Sequence, residues 1–525
     1  MTTELLDPAD EAPGLATPGV DDSAEISPPS PAAEPPIRPD TLADGVMILL
    51  VMTVVQRGVG FVRAVLFCRW LDPEQLGLWD MAWSFLMLAG PLAVVSLPGT
   101  FGRYAEHFRA RGQLRSFLQR TIVFCAMTAI VAVAALWICR GPLAATIFGS
   151  SSQAWLLGPL GLTLLCVVGY NYVTSFFTAL RQVRLVACLD LLNSLAFAAI
   201  GVALLAAWRC NAGSVVLAYG VSCGLCCLAA GVAMRRIWTS APAATGETRL
   251  WRKLLPFAAW ILVINLLTNA FALADRAMIV HFAPGSTEDA LALVGQYHSA
   301  RVVPLLLVTI AGVLSGILLP HLAHDWEAGR RDRVSLRLNL LTKLMLAAMT
   351  AGALGVLGFA PWLFDWALAG KYAAGRAVLP QTLVYCIWFG ATMIAQQYLW
   401  CAERAGRVCL ALGVGLAVNV LLNLVLLPRF GLHGAVCAAA GANLLTLAAI
   451  LLLSYRLGLW FDRGLWAFAA MPLALLAGPW FASAALIGAA VLCWSTDWLF
   501  STAEKAHMAN AVDRYRDRLE QWRSA

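Results

Sequence analysis

Eight ionisable side chains lie inside long apolar stretches of this 525-residue chain: Arg57, Arg63, Asp80, Asp190, Asp275, Arg276, Arg301 and Lys343. Charge at membrane depth is costly, and it usually faces a water-filled cavity or a partner. Planar guanidinium forks bind oxyanions bidentately and stay charged, so Arg57, Arg63, Arg276 and Arg301 are candidate anion-binding groups. Six positions separate Arg57 from Arg63, about 600° of helical turn, which places them about 120° apart on one helix, able to border one wide groove. Arg301 follows His298 by three residues and can share its face. Asp80 and Asp275 suit ion coupling, since a buried carboxylate can take a proton or coordinate Na⁺. The favoured reading is the plainer one of counter-ions, Asp80 to Arg63 or Asp275 to a basic residue across the lobes.

The elements that position these groups are membrane spans. Hydrophobic residues make up 60% of the chain, charged residues 13%, and mean hydropathy is +0.74. Roughly 20 apolar residues cross a hydrocarbon core. The pattern predicts an all-α polytopic membrane protein of about fourteen helices: 46–68, 77–98, 119–139, 154–177, 184–208, 213–234, 256–282, 293–320, 338–359, 377–401, 407–427, 432–455, 464–479 and 481–500. The last pair is short and could be one kinked helix, since Gly478-Pro479 interrupts it. With both termini cytoplasmic, inside loops hold 25 basic residues and outside loops 6, the bias that sets orientation. One kinked helix would leave the basic tail outside, so two spans are favoured. Trp79, Trp155, Trp208, Trp251, Trp362, Trp460 and Trp498 fall near span ends, as in an aromatic belt.

Residues 1–40 stand apart, with nine prolines, nine acids and a single basic residue, Arg38. Such a segment cannot bury a core and reads as a disordered cytoplasmic tail. The net charge of +7 marks topology rather than nucleic-acid binding, because the basic residues sit in short loops on one side. Asp190 reads as structural, and Lys343, near an inner helix end, is expected to snorkel to headgroups. His321-Leu-Ala-His324-Asp325 reads as interfacial packing. Cys223, Cys226 and Cys227 resemble half a metal site with no second ligand pair nearby, and helical cysteines pack as small hydrophobes. Gly220/Gly224 and Gly312/Gly316 have the spacing of close helix contacts. No Gly-rich loop leads into Lys-Ser or Lys-Thr, which argues against direct ATP use, and no cofactor is implied.

Two stretches echo each other. Gly60-Phe-Val-Arg63 leads to Leu76-Gly77-Leu-Trp79-Asp80, and Ala274-Asp275-Arg276-Ala277 leads to Val294-Gly295-Gln-Tyr297-His298. Arg276 thus takes the place of Arg63, and Gly295 that of Gly77. Six spans separate the copies, which implies a parallel repeat about an axis along the membrane normal. The expected organisation is an N-terminal lobe over 41–240, a C-terminal lobe over 241–457, two further helices over 458–500 and a basic cytoplasmic tail over 501–525.

With these residues in view, the chain resembles the polysaccharide and O-antigen flippases of the multidrug/oligosaccharidyl-lipid/polysaccharide exporter superfamily. The resemblance is carried by Gly60–Gly77, by Val294-Gly295-Gln-Tyr297 through Leu319-Pro320-His-Leu, and by Leu421-Leu-Asn423 through Pro428-Arg-Phe430-Gly431-Leu-His-Gly434-Ala. It covers roughly residues 42–455. It implies two six-helix lobes around a central cavity, alternately open to either side. The implied cargo is a polyprenyl-diphosphate-linked oligosaccharide, the location the bacterial cytoplasmic (inner) membrane, and the partners membrane lipids and a polysaccharide polymerase or glycosyltransferases. Arg57, Arg63, Arg276 and Arg301 would then grip the diphosphate. Alternatives are a lipid II flippase, a drug antiporter of the same superfamily and, more remotely, a membrane oligosaccharide polymerase or ligase. Four intramembrane arginines disfavour the antiporter, and short outside loops disfavour the enzyme.

Overall fold

A computed structural model describes residues 42–240 and 250–509, with Asp513, Arg516 and Asp517. The expectations for the tail over 1–40 and for most of 510–525 lie outside the described residues. The described chain is helical throughout, without a strand. The N-terminal half runs α1 (Leu42–Trp70), α2 (Pro73–Ala93), α3 (Phe101–Ala110), α4 (Leu114–Ile138), α5 (Arg140–Phe148), α6 (Leu157–Ala179), α7 (Val183–Ala207) and α8 (Ala212–Ser240). The C-terminal half runs α9 (Leu250–Phe282), α10 (Thr287–Arg301), α11 (Pro304–Glu327), α12 (Arg331–Pro361), α13 (Ala373–Ala377), α14 (Leu379–Ala395), α15 (Gln397–Cys401), α16 (Ala405–Phe430) and α17 (Leu432–Tyr455), then α18 (Arg463–Ala470) and α19 (Pro479–Ser495).

Eleven described helical stretches are long and apolar enough to cross a membrane, with shorter apolar stretches at Arg463–Ala477 and Pro479–Cys493. The expected spans absent from the eleven are 377–401, 464–479 and 481–500. The first is cut into α13, α14 and α15, and each of the other two is short. The expected eighth span, 293–320, is also broken. Pro304 lacks an N–H and cannot continue α10, so the helix restarts as α11. Peripheral helices leave apolar side chains uncovered, among them Leu228 and Trp260, as lipid-facing surfaces do. Trp79 departs from the expected belt. It is buried, with its ring 5.7 Å from that of Phe197.

The two echoed segments meet where α2 crosses α10. A methyl placed on Gly77 would lie 1.9 Å from the Leu291 carbonyl oxygen, and one on Gly295 would lie 1.9 Å from that of Pro73. Pro73 and Leu291 stand at the same separation as Gly77 and Gly295, so the two contacts are reciprocal, as contacts across a two-fold are. Only glycine lets the backbones approach this closely. Of the other candidate pairs, Gly220 packs against Thr163 and Gly224 against Cys166, with a Cβ at 2.6 and 3.6 Å respectively. Gly316 has open space around it.

The last two short helices form a hairpin. The chain turns at Gly478, which holds φ 107°. A Cβ on Gly464, at the start of α18, would meet the carbonyl of Leu499, beyond α19, at 2.0 Å. The chain therefore returns to the end from which it set out. Lys343 on α12 closes this arrangement and corrects its expected snorkelling. It is fully buried and donates to Asp462 at 2.6 Å, Glu504 at 2.8 Å and the Leu499 carbonyl at 2.9 Å. Residues 502–509 are helical, opened by Ser501 and Glu504, which exchange hydrogen bonds with each other's backbone N–H. A lysine with two carboxylates in reach has no need of a headgroup.

Candidate functional site

Six of the eight charged residues within apolar stretches, Arg57, Arg63, Asp80, Asp190, Arg276 and Arg301, converge on one cavity of about 390 Å³. Arg57 and Arg63 reach it from α1, Asp80 from α2, Arg276 from α9, and His298 and Arg301 from α10. All four candidate arginines are thus brought together, although Arg63 and Arg276 are more than two hundred positions apart. The volume falls within the range of roughly 300–1,000 Å³ typical of small-ligand pockets.

Asp80 is the centre of the charge pattern. Its carboxylate is 1% exposed and takes Arg276 Nε at 2.5 Å on one oxygen and His298 Nδ1 at 2.8 Å on the other. A buried charge needs such partners, because its lost hydration is worth several kcal/mol. The pair joins the two halves of the chain. It also corrects the expected pairing of Asp80 with Arg63. His298 stands at the repeat position of Asp80, by the same offset that relates Gly295 to Gly77, and the two equivalent residues meet beside the glycine crossing. That offset was the signal in the sequence for this contact.

The remaining arginines are held differently. Arg63 lies over the Phe197 ring at 4.2 Å, with no carboxylate partner among the described residues. Arg301 is buried, 5.1 Å from the Tyr297 ring, and its Nε has no hydrogen-bond partner. Arg57 is exposed on the wall. A half-buried guanidinium that faces the cavity with no carboxylate paired to it, as Arg63 does, is available to an incoming anion in a way that Arg276 is not.

Asp275 does not line the cavity. As the neighbour of Arg276 it points elsewhere around α9, where it accepts from the Tyr297 hydroxyl at 2.9 Å and from Asn423 Nδ2 at 3.3 Å. Its hydrogen-bond partners are neutral, so the expected direct pairing with a basic residue is not found there. Asn419 Nδ2 and Asn423 Oδ1 beside it are buried without partners. Asp190, read as structural, lines the cavity and accepts from the Tyr170 hydroxyl. The histidine-rich end of α11 is organised by Asp325, which pairs with Arg330 at 3.0 Å and with Arg337. Cys226 and Cys227 donate to helix carbonyls.

Composition alone did not single out the uncharged part of the lining, which includes Phe61, Trp83, Asn193, Phe197 and Tyr219. Trp83 was within reach of a spacing rule, since it follows Asp80 by three residues and shares its helix face.

The profile of a family described as polysaccharide biosynthesis protein matches residues 42–326, over half of the chain. No curated protein matches the sequence significantly. Among solved structures, the fold is similar to that of the lipid II flippase MurJ in an inward closed conformation. The TM-score is 0.65 at 13% identity, covering 84% of this chain and 96% of that one. It is also similar to an inward-facing multidrug resistance MATE transporter of the MOP superfamily, with TM-score 0.59, 11% identity, and 78% and 97% coverage. The Vibrio cholerae MATE transporter VcmN matches with TM-score 0.53, 13% identity, and 79% and 97% coverage.

Proposed function

Since the chain belongs to the polysaccharide biosynthesis protein family, we propose that it is a flippase that carries polyprenyl-diphosphate-linked oligosaccharides across the cytoplasmic membrane by alternating access. The observation that carries this reading is the convergence of four guanidinium groups on one cavity within a bundle of spans. A diphosphate attached to a lipid is an anion that must pass through hydrocarbon, and a cationic cavity replaces its lost hydration. The protein then works as a transporter and not as an enzyme. It moves cargo that glycosyltransferases assemble and a polymerase consumes, in a bacterial inner membrane with both termini in the cytoplasm.

Within that reading the residues divide by task. Arg63, Arg57 and Arg301 meet the diphosphate directly. Arg276 is shared with Asp80, which acts as counter-ion and holds the two lobes, 41–240 and 241–457, together at the cavity. Asp275, in its pocket of amides and a tyrosine hydroxyl, is the ion-coupling candidate. The test is deletion of the gene in its host. Loss of surface polysaccharide with build-up of the lipid-linked precursor is the expected result, and unchanged polysaccharide overturns the assignment. The lipid II flippase is the second reading, favoured by the MurJ-like fold. It requires that the chain rescue growth of cells depleted of their own lipid II flippase.

A further inference from the structure

The cavity has a part that the anion-binding residues leave unused. On the α9–α11 side it holds Arg276, His298 and Arg301. On the side of α1, α2 and α7, Arg57, Arg63, Asp80 and Asp190 are interleaved with two aromatic rings, Phe61 and Trp83, and two neutral amides, Gln56 and Asn193. These residues are built in rather than incidental. Trp83 is half-buried and is steadied by Tyr219, with centroids 4.8 Å apart at 61°, and by Trp79 at 5.7 Å. Asn193 Oδ1 accepts from the Ser222 hydroxyl at 2.8 Å, which fixes the amide plane. The NH₂ group of Asn193 and the side-chain amide of Gln56 have no hydrogen-bond partner among the described residues.

Neutral rings and amides offer a diphosphate little. They suit a pyranose, whose ring presents a face of C–H groups to pack on an aromatic surface and hydroxyls around its edge. An amide both donates to and accepts from such hydroxyls. Arg63 joins the two regions, since it lies on Phe197 at 4.2 Å within the same cavity. A sugar bonded directly to a diphosphate held by Arg63 is therefore carried next to the aromatic wall.

We propose that Phe61, Trp83, Gln56 and Asn193 form a subsite for the sugar attached directly to the diphosphate, so that these uncharged groups read the cargo while the arginines among and opposite them hold it. The proposal rests on the reading of the cavity as a lipid-diphosphate site. It is tested with the full-length protein in lipid nanodiscs and two kinds of probe: undecaprenyl diphosphate, and undecaprenyl diphosphate carrying N-acetylglucosamine or galactose. The wild type should bind at least one sugar-bearing lipid roughly tenfold more tightly than the bare lipid, the order expected of a few added polar and stacking contacts. Trp83→Leu and Asn193→Ala should bring that ratio close to one. Trp83→Phe, which keeps a stacking face and guards against a folding defect, should retain most of it. Arg63→Ala should weaken both lipids and preserve the ratio. A wild-type ratio of one with both sugars overturns the subsite, as does a ratio that neither variant changes. Equal weakening of both lipids by Trp83→Leu assigns the wall to the isoprenoid chain and also overturns it. Binding of neither lipid by the wild type would instead remove the diphosphate reading itself.

Discussion

Arg63 and Arg276 look alike in the sequence and stand in different electrostatic situations. Arg276 is committed to the Asp80 carboxylate, whereas Arg63 has only an aromatic ring beneath it. Loss of Asp80 would remove the carboxylate from a buried guanidinium, and breaking a buried pair typically costs about 3–5 kcal/mol. Asp80→Asn is therefore expected to lower the amount of folded protein in the membrane. The double variant Asp80→Asn/Arg276→Gln should recover part of that loss, as a coupled pair does. Equal losses in the single and double variants would show that the ion pair is not the cause. Arg63→Ala is expected to leave protein level intact and reduce affinity for undecaprenyl diphosphate. A charge-assisted contact worth about 1.5–3 kcal/mol corresponds to roughly 10- to 150-fold. Arg63→Lys should be intermediate, because it keeps the charge and loses the fork. Undiminished binding by Arg63→Ala would remove that residue from the site.

At the level of elements, two contacts decide how the helices meet. The α2–α10 crossing depends on Gly77 and Gly295, each of which faces a backbone carbonyl that cannot move aside. Gly77→Ala and Gly295→Ala should each force the helices apart and destabilise the protein by about 1–3 kcal/mol, the usual cost of overpacking. Thermal unfolding followed by size exclusion measures this, and Gly316→Ala, in open space, serves as the control. The second contact is Lys343 with Asp462 and Glu504, which ties α12 to the loop before α18 and to the segment after α19. Lys343→Met would leave two carboxylates without their cation. It should lower thermal stability more than Lys505→Met, whose partner Asp497 is exposed. Similar small effects from both would mean that the C-terminal hairpin is held by its apolar contacts alone.

For the whole molecule, the proposed orientation, with both termini in the cytoplasm, rests on the bias of the basic loops and is consistent with the returning hairpin. A reporter fused after Ala525 should register as cytoplasmic. An external signal would contradict both the charge bias and the antiparallel course of the last two helices. Removal of residues 2–38 should leave polysaccharide export nearly intact, because the proline- and acid-rich composition of that stretch argues against a span or a core. Lost export at normal membrane level would assign the tail a partner.

Lipid solvation and local spacing by themselves determined a helical membrane protein, the arginines that line its cavity and the echo that sets Gly77 beside Gly295 in the sequence pattern. Those properties depend on residue type and near neighbours, and a span must satisfy its own backbone wherever it lies. Tertiary structure alone decided which charges are paired and which are free. Asp80 could have met Arg63, Arg276 or neither, and the choice rests on a helix crossing between residues about two hundred positions apart. Lys343 reads as a snorkelling residue until the carboxylates of Asp462 and Glu504 are folded onto it. Trp83 and Asn193 carry no charge to mark them, and they become candidates only when α1, α2 and α7 enclose the same cavity as the arginines. Pairing and enclosure are properties of distance in space, and the order of residues along the chain does not encode that distance locally.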